Sequence, residues 1–383
     1  MMADSKTVLV ISPIPSHPQN SGSRVRVHCL LTSITEMGHN LHFLHIETET
    51  SGDRKAMHTT WGRNFHYLPY VQPSIQFRVV RRFQRLFKDI PPVVQKWYDP
   101  AFDKIITKLQ KTFKFDVVIV EYVFFAKALD CFGQDVLKVI DTLDVFSNRH
   151  QRMMQQDLQP SWYSVTPREE AQELERADVV IAISEEDRQA LSQLVSRKVI
   201  TVGHIVPVCQ PSEVLLRSGK ILFVGSGNPM NVQAVQFFVN QVLPSVKLRC
   251  PAVQLLIAGT VCDLLEADGP YRKLGRVEDL QSVYADADVV INPMLFGTGL
   301  SIKSLEALGY ARPLVTTSVG ARGLSEAADR AFLIADTPEA FSAAVINVLT
   351  EGDLSLMLSR NASEFALQWN QQNLRALEDL LNA

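Results

Sequence analysis

From Asn292 to Gly323 the chain reads NPMLFGTGLSIKSLEALGYARPLVTTSVGARG, and this stretch holds the residues best spaced for chemistry. Gly297 and Gly299 allow positive φ and let a second molecule approach the backbone closely. The helix that follows begins with undonated N–H groups and a partial positive charge, which makes its start a natural phosphate site. Ser301, after Leu300, and Lys303 stand in its first turn and add a hydroxyl and a charge. Glu306, a turn further on, suits a neutral hydroxyl such as a ribose edge and would repel a phosphate. The plain alternative is a tight strand-to-helix turn with Glu306 in solvent.

Other residues with chemical potential are spread along the chain. Gly225-Ser226-Gly227-Asn228-Pro229, earlier in the chain, is another glycine turn before a helix, hence another phosphate candidate. With only two glycines it leaves the dinucleotide fingerprint incomplete, which argues against a nicotinamide-dependent oxidoreductase. Near the N-terminus the loop PIPSHPQNSGSRVR is too long for a simple connection, and it places Gly22 and Arg24 at a strand-to-helix turn. Glu121, Asp141 and Asp144 follow apolar runs, at the strand ends where α/β sheets put their ligands. Helix capping is the alternative for the aspartates. FRVVRRFQRLFK, residues 77–88, patterns as a basic amphipathic helix, either a membrane-surface contact or a surface helix with its arginines in water.

The elements that must position these residues alternate. Residues 6–12, 40–46, 115–120, 138–140 and 177–183 pattern as strands in the first half, and 220–224, 253–258, 285–291 and 314–317 in the second. Helical spacing falls between them. In the first helix Val25, Cys29 or Leu30, and Ile34 form the expected apolar face, which Gly38 ends. From Pro338 the pattern is helical to the end. The polar stretch 207–219 marks a boundary between two strand-helix domains of similar size.

Composition narrows the class. An apolar fraction of 46% and a charged fraction of 21% describe an ordinary soluble protein. A net charge of −3 gives no reason to expect nucleic acid. Cys29, Cys131, Cys209, Cys250 and Cys262 are odd in number and widely spaced, which argues against zinc and against a disulfide framework and fits a reduced, cytoplasmic compartment. The polar start and the lack of a long apolar run predict neither signal peptide nor membrane span.

The series ISPIPSHPQNSGSRVR, DADVVINP, GTGLSIKSLEALGYARPLV and SVGARGL, in that order and spacing, resembles GT-B glycosyltransferases, close to retaining family 4, which includes sucrose- and mannosyl-type enzymes. The resemblance implies an α/β fold of two Rossmann-like domains facing each other across a cleft. They would be an acceptor domain over 1–205 and a nucleotide-sugar domain over 206–365, with a C-terminal helix, 366–383, crossing back. It implies a nucleotide-sugar donor as co-substrate, no other cofactor, no metal, and a sugar, lipid-linked or protein acceptor. Basic residues 77–88 would give peripheral contact with an inner membrane face. Glu306 matches the family's acid for the ribose hydroxyls, and Gly297, Thr298, Gly299, Leu300 and Ser301 match its donor loop. Gly225 and Ser226 match the diphosphate turn, Gly275 to Val277 the segment beside the base, and Gly22 the N-terminal phosphate loop.

The chain departs from the pattern in three ways. Thr298 stands where the family usually has a second glutamate, and Leu143 where a histidine is expected between Asp141 and Asp144. The basic pair after the Gly225 strand is missing, with Ser226, Asn228 and Asn231 nearby instead, so Lys303 becomes the candidate phosphate cation. The catalytic candidates are Lys303, Thr298, Asp141 and Asp144. A nucleotide-sugar epimerase of the same fold and a non-catalytic sugar-nucleotide-binding subunit are the competing expectations.

Overall fold

The computed structural model describes residues 5–48, 52–69, 97–155, 163–211, 218–297 and 299–383. The amphipathic stretch 77–88 and Thr298 lie outside them. The chain divides into two compact units. The first comprises Met1–Gln19, Ser23–Gly203 and Leu374–Ala383; the second comprises Asn20–Gly22 and His204–Asn373.

In the first unit seven strands form a sheet whose pairings are all parallel. They are β1 (Thr7–Ser12), β2 (Asn40–Glu47), β3 (Phe65–Pro69), β4 (Val117–Glu121), β5 (Leu137–Asp141), β6 (Val179–Ala182) and β7 (Lys198–Thr201), in the order 3-2-1-4-5-6-7. In the second unit six strands form a second parallel sheet: β8 (Lys220–Val224), β9 (Gln254–Ala258), β10 (Arg272–Gly275), β11 (Val289–Asn292), β12 (Leu314–Thr316) and β13 (Leu333–Ile334), in the order 10-9-8-11-12-13. β3, β7, β10 and the short β13 escape the sequence pattern. Central strands such as VVIVE and VVIN are buried along their whole length, so both sheet faces are covered, as parallel sheets require. In each sheet the order reverses once, at β1/β4 and at β8/β11, and such switch points are where open α/β sheets bind ligands.

The final helix, Gly352–Leu381, leaves the second unit and ends in the first, where Leu377, Leu380 and Leu381 join the apolar core. No single helix among the described residues is long and apolar enough to cross a membrane.

The first helix corrects an expectation. It spans Gly22–Glu36, but its buried stripe is Arg24, Arg26, Val27, Leu30, Leu31, Ser33 and Ile34, and Val25 is only half-buried. An arginine is inside because it has work there. Arg26, 1% exposed, donates to Asp141 Oδ2 at 2.9 Å and to the carbonyls of Val202 at 2.8 Å and Gly203 at 2.5 Å. Glu121 pairs in register with Asp141 on the neighbouring strand, is fully buried, and neither of its carboxyl oxygens has a hydrogen-bond partner among the described residues. Burial therefore holds Glu121 well above the usual carboxylate range, and the Asp141 charge adds to that while Arg26 opposes it. Asp141 is also pushed up by burial, against the pull of Arg26.

Removing Arg26 would strand Asp141 in an apolar setting. Arg26→Ala is expected to cost about 3–5 kcal/mol in urea unfolding, the usual result of breaking one side of a buried pair. Glu121 favours its neutral form in the fold, so its penalty grows as pH rises above the ordinary carboxylate range. Glu121→Gln should raise the thermal midpoint above neutrality and change it little in mild acid. A shift independent of pH would show that Glu121 is not the group holding the proton.

Candidate functional site

The second unit gathers most of the predicted residues at the C-terminal edge of its sheet. β8 and β11, the two strands flanking the switch point, run directly into the two glycine turns. After β8, Gly225 donates its N–H to Ala258 and Gly227 donates to Thr260 Oγ1 at 2.7 Å. Asn228 caps the helix Pro229–Phe237 by accepting from Asn231 N at 2.9 Å, and its own N–H donates to Ser226. Gly259, at φ 97, donates to the Gly275 carbonyl, and a Cβ there would stand 2.2 Å from the Gly225 oxygen. Gly225, Gly259 and Gly275 therefore form one packed backbone corner at the ends of β8, β9 and β10. Val277 lies just beyond it, half-buried.

After β11, Gly297 is half-buried, while Gly299, at φ 70, and Leu300 are buried. The helix starts at Ile302 and runs to Gly309. Its N-terminus is partly committed within the protein. Ser301 N donates to Arg322, Ile302 N donates to Leu300, and the Ser301 hydroxyl accepts from the buried Asn292 at 2.9 Å and bonds the Ser304 hydroxyl at 3.2 Å. The first glycine turn likewise donates N–H groups to protein oxygens. A side chain adds positive charge between the two turns.

Lys303 supplies it. Its ammonium donates to Asn231 Oδ1, contacts Met294 Sδ at 3.4 Å, and lies 5.2 Å from the centre of the Phe223 ring. Phe223 is in β8, Asn231 is on the helix after β8, and Met294 follows β11. A lysine from the second turn thus projects across the switch point to the first. Burial lowers its pKa to about 8, opposed by the nearby Glu306 carboxylate. Burial pushes Glu306 up to about 7, against the pull of Lys303 and the Tyr284 hydroxyl. Both side chains keep some solvent exposure. Tyr284 is fully buried and stacks on Tyr310 at 4.5 Å, flooring the acid. Among the described residues no group of three His, Cys, Asp or Glu side chains could hold a metal ion.

In the first unit the candidates do not form an open site. Gly22, which opens the first helix, belongs to the second unit, and Arg24 is buried. Asp141 has no exposed surface and is committed to Arg26, which removes it as a catalytic base. Asp144 stays partly exposed, accepts from Val145 N at 2.9 Å and lies 3.7 Å from Arg149. Neither aspartate caps a helix; Asn148 occupies the next helix start. Leu143, between them, holds φ 57, a left-handed conformation uncommon for a branched side chain.

Residues 218–351, within the second unit, match the family model described as Glycosyl transferases group 1. The likeness to group 1 glycosyl transferases is thus placed in that segment. A relative from Klebsiella pneumoniae, described as an uncharacterized 44.6 kDa protein in cps region, is 30% identical over 158 residues, covering 37% of this chain and 41% of the relative. The match thus spans about two fifths of that relative's length. Solved structures are similar over nearly the whole chain. They include sucrose-phosphate synthase from Thermosynechococcus elongatus, with TM-score 0.69, 14% identity and 98% coverage of each chain. A mutant of S. aureus TarM in complex with fondaparinux, alpha-GlcNAc-glycerol and UDP gives 0.68 at 10% identity, covering 99% of this chain and 100% of that one. Anabaena HepE in complex with UDP and glucose gives 0.63 at 14%, covering 97% and 99%. At such identities the likeness shows the fold, GT-B.

Within the matched segment, several residues that build the site are absent from the motif reading. Tyr284 acts on Glu306 and stacks on Tyr310, which caps the helix four residues on from Glu306, a spacing that was available in the sequence. Asn292 joins the turn to the helix by donating to Ser301 and Ser304, and no periodicity signals it. The glycine corner offers a test. Gly259→Ala adds a methyl against the Gly225 carbonyl at positive φ and should cost at least about 1–3 kcal/mol in urea unfolding. Gly275→Ala meets nothing within 4 Å and carries only the φ penalty. Equal losses from the two variants would show that close backbone approach does not matter.

Proposed function

We propose that the protein is a nucleotide-sugar-dependent glycosyltransferase, moving a sugar from a nucleoside diphosphate to a hydroxyl acceptor with retention. One observation supports this most: the Lys303 ammonium stands at the switch point between both glycine turns, with the Glu306 carboxyl a turn away on the same helix. A cation and an acid so spaced match the two ends of a ribosyl diphosphate. Lys303 takes the charge that grows on the diphosphate as the glycosidic bond breaks, and Glu306 accepts from ribose hydroxyls. The donor is co-substrate, and no other cofactor is assigned. The TarM and HepE structures hold UDP, which makes uridine nucleotides the first to test. Retention follows from the family resemblance. The acceptor, a sugar, lipid-linked or protein hydroxyl, belongs to the first unit in this reading. Its setting is cytoplasmic, with residues 77–88 resting on an anionic membrane face.

A panel of UDP-, GDP-, ADP- and dTDP-sugars should contain one that raises the thermal midpoint, because a ligand bound only by the native state stabilises it. No shift from any of them would overturn the proposal. Binding without slow donor hydrolysis would favour a non-catalytic subunit, and a changed sugar configuration without transfer would favour an epimerase. Glu306→Ala should weaken nucleotide binding by about 1–3 kcal/mol, the cost of losing a hydrogen-bond partner in a desolvated site.

The pH dependence has a definite sign. Affinity should rise as Glu306 ionises through about 7 and fall as Lys303 loses its proton above about 8. Glu306→Gln should flatten the acid limb and leave the alkaline one. If both limbs survive in that variant, the titrating acid lies elsewhere. Co-sedimentation with anionic vesicles, lost with added salt, tests the membrane contact; a protein that stays in the supernatant at low salt has none.

A further inference from the structure

Asn231 is 2% exposed, and each polar group given above for it is engaged. Its backbone N–H donates to Asn228 Oδ1, and its side-chain nitrogen donates to the Ser226 carbonyl at 2.7 Å and reaches Ser226 Oγ at 3.4 Å. A carbonyl can only accept, so the nitrogen must face Ser226 and the amide oxygen must face the other way. The Lys303 ammonium meets that oxygen. The orientation of the amide is thus fixed by the turn it caps, and the amide in turn fixes the amine. The other neighbours of the amine, Phe223 and Met294, carry no charge, and Glu306 on its own helix is the ionisable group that acts on it.

We propose that Asn231 is a positioning residue that holds the Lys303 ammonium at the first glycine turn, so that this turn takes its diphosphate-binding cation from the second. This rests on the assignment of Lys303 to the diphosphate. It explains why an uncharged amide is tolerated where the resemblance expects a basic residue nearby. An amide leaves the full positive charge of the lysine to the ligand, whereas a carboxylate there would neutralise it. A long flexible side chain without a partner would spread its charge over many rotamers, and restraint spares that ordering on binding.

The experiment compares each of UDP, GDP, ADP and dTDP with its own monophosphate by calorimetry on the full chain. The wild type should prefer at least one diphosphate, and Lys303→Met should abolish the preference. Asn231→Ala should reduce it by about tenfold while leaving monophosphate affinity unchanged, a split that a merely structural role would not produce. Asn231→Asp keeps the shape of the side chain and provides a second arm. It should lower the preference as well, and acetic anhydride labelling should show Lys303 titrating at higher pH than in the wild type. If Lys303→Met keeps the preference, the assignment of Lys303 fails and the proposal with it. If Lys303→Met loses the preference but both folded Asn231 variants retain it, Lys303 stands and the positioning role is overturned. Equal losses of monophosphate and diphosphate affinity in Asn231→Ala, with Lys303 labelling unchanged in Asn231→Asp, overturn it too.

Discussion

A strand buried on both faces takes a polar side chain most readily where it ends, and that constraint shapes both units. VVIVE and VVIN are apolar through the middle, LKVID is apolar after Lys138, and all three turn polar at the last residue. Glu121, Asp141 and Asn292 therefore lie along the C-terminal sheet edges, where the connecting turns also bring Arg26, Lys303 and Glu306. In the second unit the strand order reverses between β8 and β11, so the two glycine turns, far apart in sequence, become neighbours. The Asn231–Lys303 contact spans 72 residues of chain and exists only because those strands are adjacent.

The two units treat a buried cation differently, and the difference separates structure from function. Arg26 donates to one carboxylate and two carbonyls and has almost no exposed surface. A planar guanidinium with several donors suits that closed arrangement and keeps its charge throughout. Lys303 has a neutral amide oxygen, a thioether and a ring face around it, and keeps some exposure. It is less compensated, and its pKa falls to about 8 as a result. In the proposed function a cation left short of partners meets an incoming anion, whereas one whose partners are already supplied by the fold is a tie. The same contrast holds for the acids: Glu121 is sealed in, and Glu306 is partly exposed.

How much was legible follows from the range of each interaction. The strand-helix alternation, the domain-sized halves and the glycine turns are local patterns, and the strands Thr7–Ser12, Lys220–Val224 and Val289–Asn292 stand close to where hydrophobic runs place them. Edge strands β3 and β7 were not legible, because partly exposed strands carry mixed sequences such as FHYLP and KVIT. The burial of Arg26 was not legible either. Periodicity assigns an arginine to solvent, and only the adjacency of β5 and the end of the unit at Gly203 gives it buried partners. Lys303 and Glu306 could be singled out by their distance from a glycine turn, but Asn231 and Tyr284 come from other segments, and a single sequence does not say which segments meet.

Glycine turns before helices invite the inference that backbone N–H groups hold the phosphate. Here that inference runs into the demand that a buried turn satisfy itself. The N–H groups of Gly225, Gly227, Asn228, Ser301 and Ile302 are donated to protein oxygens. A turn stable without ligand has less left to offer one, and a charged side chain must make up the difference. That side chain then faces the cost of being charged in a desolvated place, and the pair Lys303 and Glu306 lowers it by titrating near neutrality, at about 8 and about 7. In the proposed function a diphosphate would favour the protonated amine, and ribose hydroxyls would favour the ionised acid. Linkage requires that whatever the charged forms add to binding, binding returns as a shift in their titration. Both groups titrate within about one pH unit of neutrality, so in that reading the ligand itself draws out the charges that hold it.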